Sequence, residues 1–248
     1  MKNIKIEACC GSVRDVLVAD KLNFDQIELN SSLEMDGMTP SLGSLIKAKE
    51  VTNIPIFPMV RARPQGFNYT EEDYQSMLYD AKKFIEYGAD GIVFGFLNAD
   101  ASINKERVKA MVEIIGDKDV IFHRAFDFTK DLEESIKILI ELKVDRVLTS
   151  GGQNEILDNL DILKKLQEDY GDKIEIIIGG GIRPYNVKKV LEYTKIKQVH
   201  FSGRQKIFDE STYHMGKSKD KIDYAYEGVC EGKLREIIRQ VERVGENK

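Results

Sequence analysis

Several features that would assign this chain of 248 residues to a class of function are scarce or missing. Lysine and arginine total 37 against 42 aspartates and glutamates, a formal net charge of -5. There is no long basic run and no basic stripe interleaved with aromatic residues, so nucleic acid is not an expected partner. Nowhere do about 18 apolar residues follow one another, and the N-terminus has no apolar segment of signal-peptide length. The composition predicts a soluble, cytoplasmic protein without a membrane segment.

Cysteine is also scarce, at three residues. Cys9 and Cys10 are sequence neighbours, which makes them poor disulfide partners for each other, and the third is Cys230. The odd count and the spacing argue against a disulfide framework. Free thiols in a reducing compartment fit the pattern better.

What the chain does contain is a series of short apolar or β-branched runs that alternate with segments of helical period. The eight runs cover 4–9, 25–29, 55–60, 91–95, 119–123, 145–149, 173–178 and 198–201. Similar short sequences lead into every second run, at 24–27, 89–92 and 144–147. They form a weak internal repeat. Eight βα units in a chain of this length predict a single α/β domain over 1–248, a (β/α)8 or TIM barrel.

A doubly wound open sheet is the structural alternative. Its Gly-x-Gly-x-x-Gly turn should follow the first strand, where 9–12 reads Cys-Cys-Gly-Ser instead. After the eighth strand, 202–226 is polar with little periodicity and is interpreted as a long loop, either a surface excursion or a lid. The apolar stripe within 227–245 then predicts a closing helix.

Polar side chains occupy positions that strand alternation assigns to the barrel interior. Glu7 and Cys9 face the axis on the first strand, Glu28 does so on the second, and His123 and His200 do so on the fifth and eighth. Burying one unpaired carboxylate is costly, so one polar site whose members satisfy each other explains the pattern better than separate accidents. We expect these side chains to converge at the C-terminal mouth, where sites of this fold lie.

The predicted site combines acid–base groups with cations. Glu7, Glu28 and His123 would supply acid–base catalysis or hold a divalent ion. The other candidate catalytic residues are three arginines expected to hold an anion, and one acid near them: Arg61, Arg63, Arg124 and Asp127. The alternative is a buried ion network that only stabilises the barrel.

Glycine-containing turns follow the last two strands. Gly180 and Gly181 lie after the seventh strand, and Ser202 and Gly203 lie after the eighth. In many barrels the loops at these positions offer backbone N–H groups to a phosphate, so these four residues form a candidate phosphate or cofactor site. The alternative is that the glycines serve only the close packing of strand and helix.

Taken together, the motifs resemble those of the CutC family. The matching segments are 7–9 (Glu-Ala-Cys), 27–29 (Ile-Glu-Leu), 37–41 (Gly-Met-Thr-Pro-Ser), 122–127 (Phe-His-Arg-Ala-Phe-Asp), 145–152 (Asp-Arg-Val-Leu-Thr-Ser-Gly-Gly) and 179–182 (Gly-Gly-Gly-Ile). They extend over most of the chain. The resemblance implies a cytoplasmic barrel, often self-associating, with a role in copper homeostasis.

Two places depart from the family pattern. Similar sequences often carry a second cysteine directly after Ile-Glu-Leu, where this chain has Asn30. The Cu(I) site that the resemblance implies pairs that cysteine with the one matching Cys9, so Cys9 alone remains as a candidate metal ligand, with copper as the candidate cofactor. After the third strand, Arg-Pro-Arg-Gly-Gly-Asp-Phe is replaced by 61–67 (Arg-Ala-Arg-Pro-Gln-Gly-Phe), which keeps both arginines.

Two functions stay open on the sequence. One is a copper-binding homeostasis protein, which rests on the resemblance and on Cys9. The other is an enzyme that acts on a small anionic substrate, sugar-derived or phosphorylated, which rests on the inward carboxylates, His123, the arginines and the glycine loops. The expected partners are a copper ion or small anion and, from the resemblance, further copies of the chain.

Overall fold

The computed structural model describes residues 4–152, 155–209, 211 and 225–245. Eight parallel strands follow one another in a single sheet: β1 (Lys5–Cys10), β2 (Gln26–Leu29), β3 (Ile56–Pro58), β4 (Gly91–Phe94), β5 (Asp119–Phe122), β6 (Arg146–Thr149), β7 (Glu175–Ile178) and β8 (Gln198–Phe201). β1 pairs with both β2 and β8, and β3 approaches β4 through a bridge between Met59 and Val93. The sheet is thereby a nearly closed (β/α)8 barrel, which confirms the predicted fold.

Helices surround the sheet: α1 (Val13–Lys21), α2 (Leu42–Val51), α3 (Glu71–Glu86), α4 (Lys105–Ile115), α5 (Leu132–Glu141), α6 (Leu160–Tyr170), α7 (Val187–Thr194) and α8 (Glu231–Glu242). α1 to α5 each begin after a residue whose side-chain oxygen accepts a backbone N–H three residues on: Ser12, Ser41, Thr70, Asn104 and Asp131. Each of these caps satisfies a donor that the first turn leaves unpaired. Across the described ranges, no helix has both the length and the apolar character to cross a bilayer.

Apolar side chains fill the space on both sides of the sheet. The larger core lies between the strands and the helices. A smaller cluster fills the barrel interior: Phe57, Met59, Val93, Ile121, Leu148 and Ile177. Glu28 lies opposite Phe57 in the register of β2 and β3, so the polar inward positions border this apolar cluster. The polar side chains therefore lie between this apolar cluster and the C-terminal mouth of the barrel.

A second polar group closes the opposite end of the barrel. Arg146 faces inward on β6, as Leu148 does, and donates to Gln26 at 3.0 Å. Its guanidinium also pairs with Asp119 and with Glu175, 3.1 Å away, and lies over the ring of Phe57. At the N-terminal face of this fold, such a satisfied network contributes to stability rather than to catalysis.

The segment after β8, predicted as a loop over 202–226, carries strands at its two ends. β9 (Arg204–Phe208) and β10 (Ala225–Val229) pair in antiparallel fashion. Both are largely half-exposed, and this is why neither shows a clear apolar pattern in the sequence. The predicted lid falls mainly on 210 and 212–224, which lie outside the described residues. α8 follows within the range predicted for the closing helix and buries Leu234, Ile237 and Val241.

Candidate functional site

A cavity of about 840 Å³ opens at the C-terminal mouth of the barrel. Most of the residues predicted for the site line it: Cys9, Glu28, Arg61, His123, Arg124, Gly180, Gly181 and Ser202. Glu7 lies behind His200, which itself lines the cavity. The parallel sheet explains the convergence, because the carboxyl ends of its strands meet at one face.

Three adjacent strands bring an ionisable cluster together on one side of this cavity. His200 Nδ1 lies 2.7 Å from Glu7 Oε1, and its Nε2 lies 3.8 Å from Glu28 Oε1. The Sγ atom of Cys9 lies 3.6 Å from the same Glu28 oxygen. In the strand register Glu7 stands opposite His200 and Cys9 stands opposite Glu28, so the sheet itself fixes the contacts. His200 is held between two buried carboxylates.

Burial and mutual charge set the protonation of this cluster. Burial raises the pKa of Glu28, with His200 opposing and Glu7 adding to the effect. Burial lowers the pKa of His200, but Glu28, Cys9 and Glu7 outweigh it, and the net pKa is well above its ordinary value. Burial also raises the pKa of the Cys9 thiol. At neutral pH the imidazolium form of His200 is therefore favoured, and it supplies a counter-charge to the buried Glu28.

Asn30 completes the cluster at the position where the resemblance would place a cysteine. Its Nδ2 donates to Glu28 Oε1 at 2.7 Å and faces Cys9 Sγ at 3.5 Å. The other oxygen of Glu28, Oε2, is buried and has no protein partner among the described residues. A buried carboxylate oxygen without a hydrogen bond is costly. Because Glu28 lines the cavity, a bound ligand can supply that bond.

Another wall of the cavity carries a buried cation. Arg61 is 6% exposed, and its Nη1 donates to the backbone carbonyls of Met35, Asp36 and Gly37 at 3.0, 3.1 and 2.9 Å. No carboxylate pairs with it in the part of the chain described, and its Nε has no hydrogen-bond partner there. Since an uncompensated buried charge is costly, an anionic ligand would stabilise this wall.

His123 lies near Arg61 and is uncharged. Its Nδ1 accepts the backbone N–H of Ala125 at 3.1 Å, so in the neutral ring the hydrogen is on Nε2. Burial, with Arg61 and Arg124 adding to it, lowers the pKa of His123 to about 3. The ring packs on Phe67, with centroids 5.0 Å apart, and Arg61 lies over the same ring. Among the described residues, nothing accepts a hydrogen bond from Nε2.

The loops after β7 and β8 border the same cavity, as the phosphate prediction requires. Gly180 has φ +85°, a backbone conformation that favours glycine, and a Cβ there would lie 2.6 Å from Arg124 Cζ and displace that side chain. Arg183 is exposed and has no acidic partner in the described ranges, whereas Arg204 pairs with Glu227 at 2.9 Å. Gly203 does not line the cavity, because it packs on Leu234 of α8.

The structure places Asp127 outside the cavity, which differs from its predicted catalytic role. Its carboxylate accepts from Thr149, from Ser150 and from the N–H of Gly152 in the loop after β6. Arg124 Nε donates to it at 2.8 Å. Both oxygens are thus engaged, and Asp127 holds the loop and Arg124 rather than meeting a ligand.

Arg63 also lies outside the cavity, in contrast to its predicted role in holding an anion. Its Nε lies 3.3 Å from Asp73, and its guanidinium donates to the backbone of Gln65 and Asn68. It also lies over the ring of Tyr69, 5.0 Å from the centroid. These partners use the hydrogen-bonding groups of Arg63. Arg63 therefore links the loop after β3 to the start of α3.

The cavity also includes basic side chains for which no catalytic or binding role was predicted: His200, Arg183 and Arg204. The alternation of β8 already places His200 inward, so that signal was available in the sequence. Arg183 stands on an irregular loop and Arg204 is the first residue of the half-exposed strand β9, so no apolar period shows which way either side chain points.

Known proteins resemble this chain over most of its length. The sequence model of the CutC family matches residues 4–205. A family protein CutC of Treponema denticola is 43% identical over 212 residues, 86% of each chain. The human protein named copper homeostasis protein cutC homolog is 35% identical, over 94% of this chain and 87% of the human one. A CutC crystal structure from Streptococcus agalactiae superposes with a TM-score of 0.76 at 29% identity, over 79% of this chain and 97% of the other.

Proposed function

The chain belongs to the CutC family, and from the geometry of its barrel mouth we propose that this member is an enzyme acting on a small anionic organic molecule. One observation carries the proposal: a single cavity joins the acid–base pair Glu28 and His200 to the uncompensated cation Arg61. Acid–base groups beside buried cations are what catalysis on a charged metabolite requires. A network that served only stability should leave neither a carboxylate oxygen nor an arginine nitrogen without a hydrogen bond.

Each group then has a role that its contacts support. Glu28 exchanges a proton with the substrate through its unpartnered Oε2. His200, oriented by Glu7, exchanges protons with Glu28 across the 3.8 Å that separate Nε2 from Oε1. Arg61 binds an electron-rich oxygen of the substrate, and Arg183, together with the glycine turn at 180–181, holds the anionic group.

Thermal unfolding and calorimetric titration with D-ribose 5-phosphate, dihydroxyacetone phosphate and unphosphorylated D-ribose test the proposal. We expect the phosphorylated compounds to raise the unfolding midpoint, because a ligand that binds only the folded state stabilises it. Replacing Arg183 with methionine should weaken their affinity about 10- to 100-fold, the effect of losing one charged hydrogen bond. Arg183 is exposed, so this variant should fold normally.

Arg239→Met on the exposed face of α8 is the matched control and should bind as the parent does. If none of the phosphorylated compounds binds, or if both variants bind as tightly as the parent protein, the cavity is not an anion site and the proposal fails.

Copper binding is the second function that we propose, because one specific observation favours it. Ligand atoms of Cys9, Glu28 and His200 lie within 4.8 Å of one another. A thiolate and an imidazole suit copper, and Glu7 holds the second ring nitrogen of His200 as a carboxylate commonly does behind a metal-bound histidine. The donor set therefore fits a copper ion, with Cys9 and His200 as the principal ligands. Burial raises the pKa of Cys9, so the thiol must lose its proton on binding.

A Cu(I) titration of the reduced protein against a competing chelator tests this second function. Cys9→Ser should weaken binding by more than about 100-fold, since loss of a ligand should exceed the 10- to 100-fold effect of losing a supporting group. Cys230→Ser is the control, because that thiol lies outside the cluster. Equal affinity of the parent protein and Cys9→Ser would reject a copper site here.

A further inference from the structure

The polar atoms that lack hydrogen-bond partners in the cavity are donors on one side and an acceptor on the other. His123 Nε2 and Arg61 Nε are donors, and Glu28 Oε2 is an acceptor. All three residues line the cavity and are at least nine-tenths buried, at 3%, 6% and 3% exposed. Such atoms are costly to bury without a partner, so each indicates a group on the ligand. The ligand they describe presents an electron-rich oxygen to one wall and an acidic hydrogen to the other.

We infer that the cavity catalyses proton transfer at a carbon atom next to a carbonyl group. His123 and Arg61 bind the carbonyl oxygen, and Glu28 removes the proton from the neighbouring carbon. The inference rests on the proposed function above and names its reaction and substrate class: a small hydroxyaldehyde or hydroxyketone that carries an anionic group.

The reaction needs no redox partner and balances within the substrate. Glu28 Oε2 forms a bond to the hydrogen, and the electron pair of the broken C–H bond becomes the new C=C bond. The pair of the carbonyl π bond moves to the oxygen, whose negative charge the two donors stabilise. For an α-hydroxy carbonyl substrate, the hydroxyl proton on that carbon passes to the neighbouring enolate oxygen, and return of the proton from Glu28 to the former carbonyl carbon then gives the isomeric carbonyl compound. Return to the original carbon gives its epimer or the starting compound.

The contacts of His123 make its neutral ring a hydrogen-bond donor. Its Nδ1 lone pair is already used by the N–H of Ala125, so Nε2 carries the hydrogen and cannot act as a base. Gly95 makes room for the ring, since a Cβ there would lie 2.5 Å from His123 Cε1. Phe67 packs on His123 and lies under Arg61, which brings the two donors to one place. A donor fixed before the reaction stabilises a developing oxyanion without reorganisation.

The strand order brings the base to the donors. Arg61 follows β3, which pairs with the Glu28 strand β2, and His123 follows β5, with β4 between. Arg61 therefore stands between the carboxylate and the imidazole around the mouth. All three residues line the same cavity, so one bound molecule can contact them together.

Hydrogen exchange in D2O tests the inference. Dihydroxyacetone phosphate and D-ribulose 5-phosphate are incubated with chelator-treated full-length protein, and ¹H NMR follows the hydrogens next to the carbonyl. We expect enzyme-dependent loss of these signals. Glu28→Gln should slow it about 10²- to 10⁴-fold through loss of the base, and His123→Phe about 10²- to 10³-fold through loss of a donor. Glu106→Gln, exposed on α4, should exchange like the parent.

The outcomes separate this inference from the proposed function. Calorimetric binding of these phosphates without any exchange would overturn the inference and leave an anion-binding enzyme of another kind. Absence of binding would overturn both. Exchange that persists in Glu28→Gln would reject Glu28 as the base.

A second readout does not depend on variants that fold. ¹⁵N NMR of the parent protein should show His123 neutral and protonated on Nε2 from pH 5 to 8, since its pKa lies at about 3. A ring that titrates near its ordinary value, or that carries its hydrogen on Nδ1, would overturn its role as the carbonyl donor.

Discussion

Replacing Asp127 with alanine is expected to lower the free energy of unfolding by about 3–5 kcal/mol, the range found when one partner of a buried ionic network is removed. The Asp127 side chain is 0% exposed and accepts from Arg124, Thr149, Ser150 and Gly152. Alanine would leave donors of the loop after β6 buried without acceptors, and each such donor is costly. Urea unfolding followed by circular dichroism measures the loss.

Two further variants show whether buried hydrogen bonding is the cause. Asp127→Asn keeps one side-chain acceptor and should lose less stability than Asp127→Ala. Asp100→Ala removes an exposed carboxylate that bonds Lys130 and Ser102, and it should change stability little. If Asp127→Ala is no less stable than Asp100→Ala, the loop after β6 does not depend on this carboxylate.

Strand positions could be predicted from the sequence because every buried parallel strand is a short apolar run. The run at 198–201 has the same bounds as β8, and the others differ by only one or two residues at an end. Alternation within the strands then placed Glu7, Glu28 and His123 correctly on the inner face. A period of two residues is a property of the strand itself, so it can be read without knowing the neighbours.

The loops could not be predicted in this way. Arg61 and Arg63 are two residues apart after β3, and nothing in the sequence shows that only Arg61 enters the cavity. The carbonyls that hold Arg61 belong to 35–37, and the acid that holds Arg63 belongs to α3. Both choices thus depend on segments that are brought together only by folding. Asp127 is a similar case, because its partners lie on the loop of the following βα unit.

Replacing Glu7 with glutamine is expected to lower the pKa of His200, because the negative charge beside Nδ1 is removed. Glu7 Oε1 lies 2.7 Å from His200 Nδ1, and an amide oxygen there would still accept a hydrogen bond but would carry no charge. Glu28 remains near Nε2 at 3.8 Å, so part of the elevation should persist. NMR titration of the imidazoles measures it, and with three histidines in the chain the signals are readily assigned.

The same change should alter how stability depends on pH. The folded pKa of His200 is raised above its value of about 6.5 in an unfolded chain. Its protonation therefore stabilises the fold fully below about pH 6.5, and this contribution is lost as pH rises through the folded pKa. In Glu7→Gln the loss should be smaller and should end at a lower pH. Glu106→Gln, far from the cluster on α4, should behave like the parent protein.

A His200 that titrated near its ordinary value in the parent protein would contradict this account of the cluster. Its ring would then be neutral at pH 7, and the buried Glu28 would lack the counter-charge that His200 supplies. Glu28 would then favour its protonated form and no longer be a free base, because burial raises its pKa and the opposing charge of His200 would be gone. The pKa of His200 therefore decides whether the cluster is ready to accept a proton from a substrate or must first lose one.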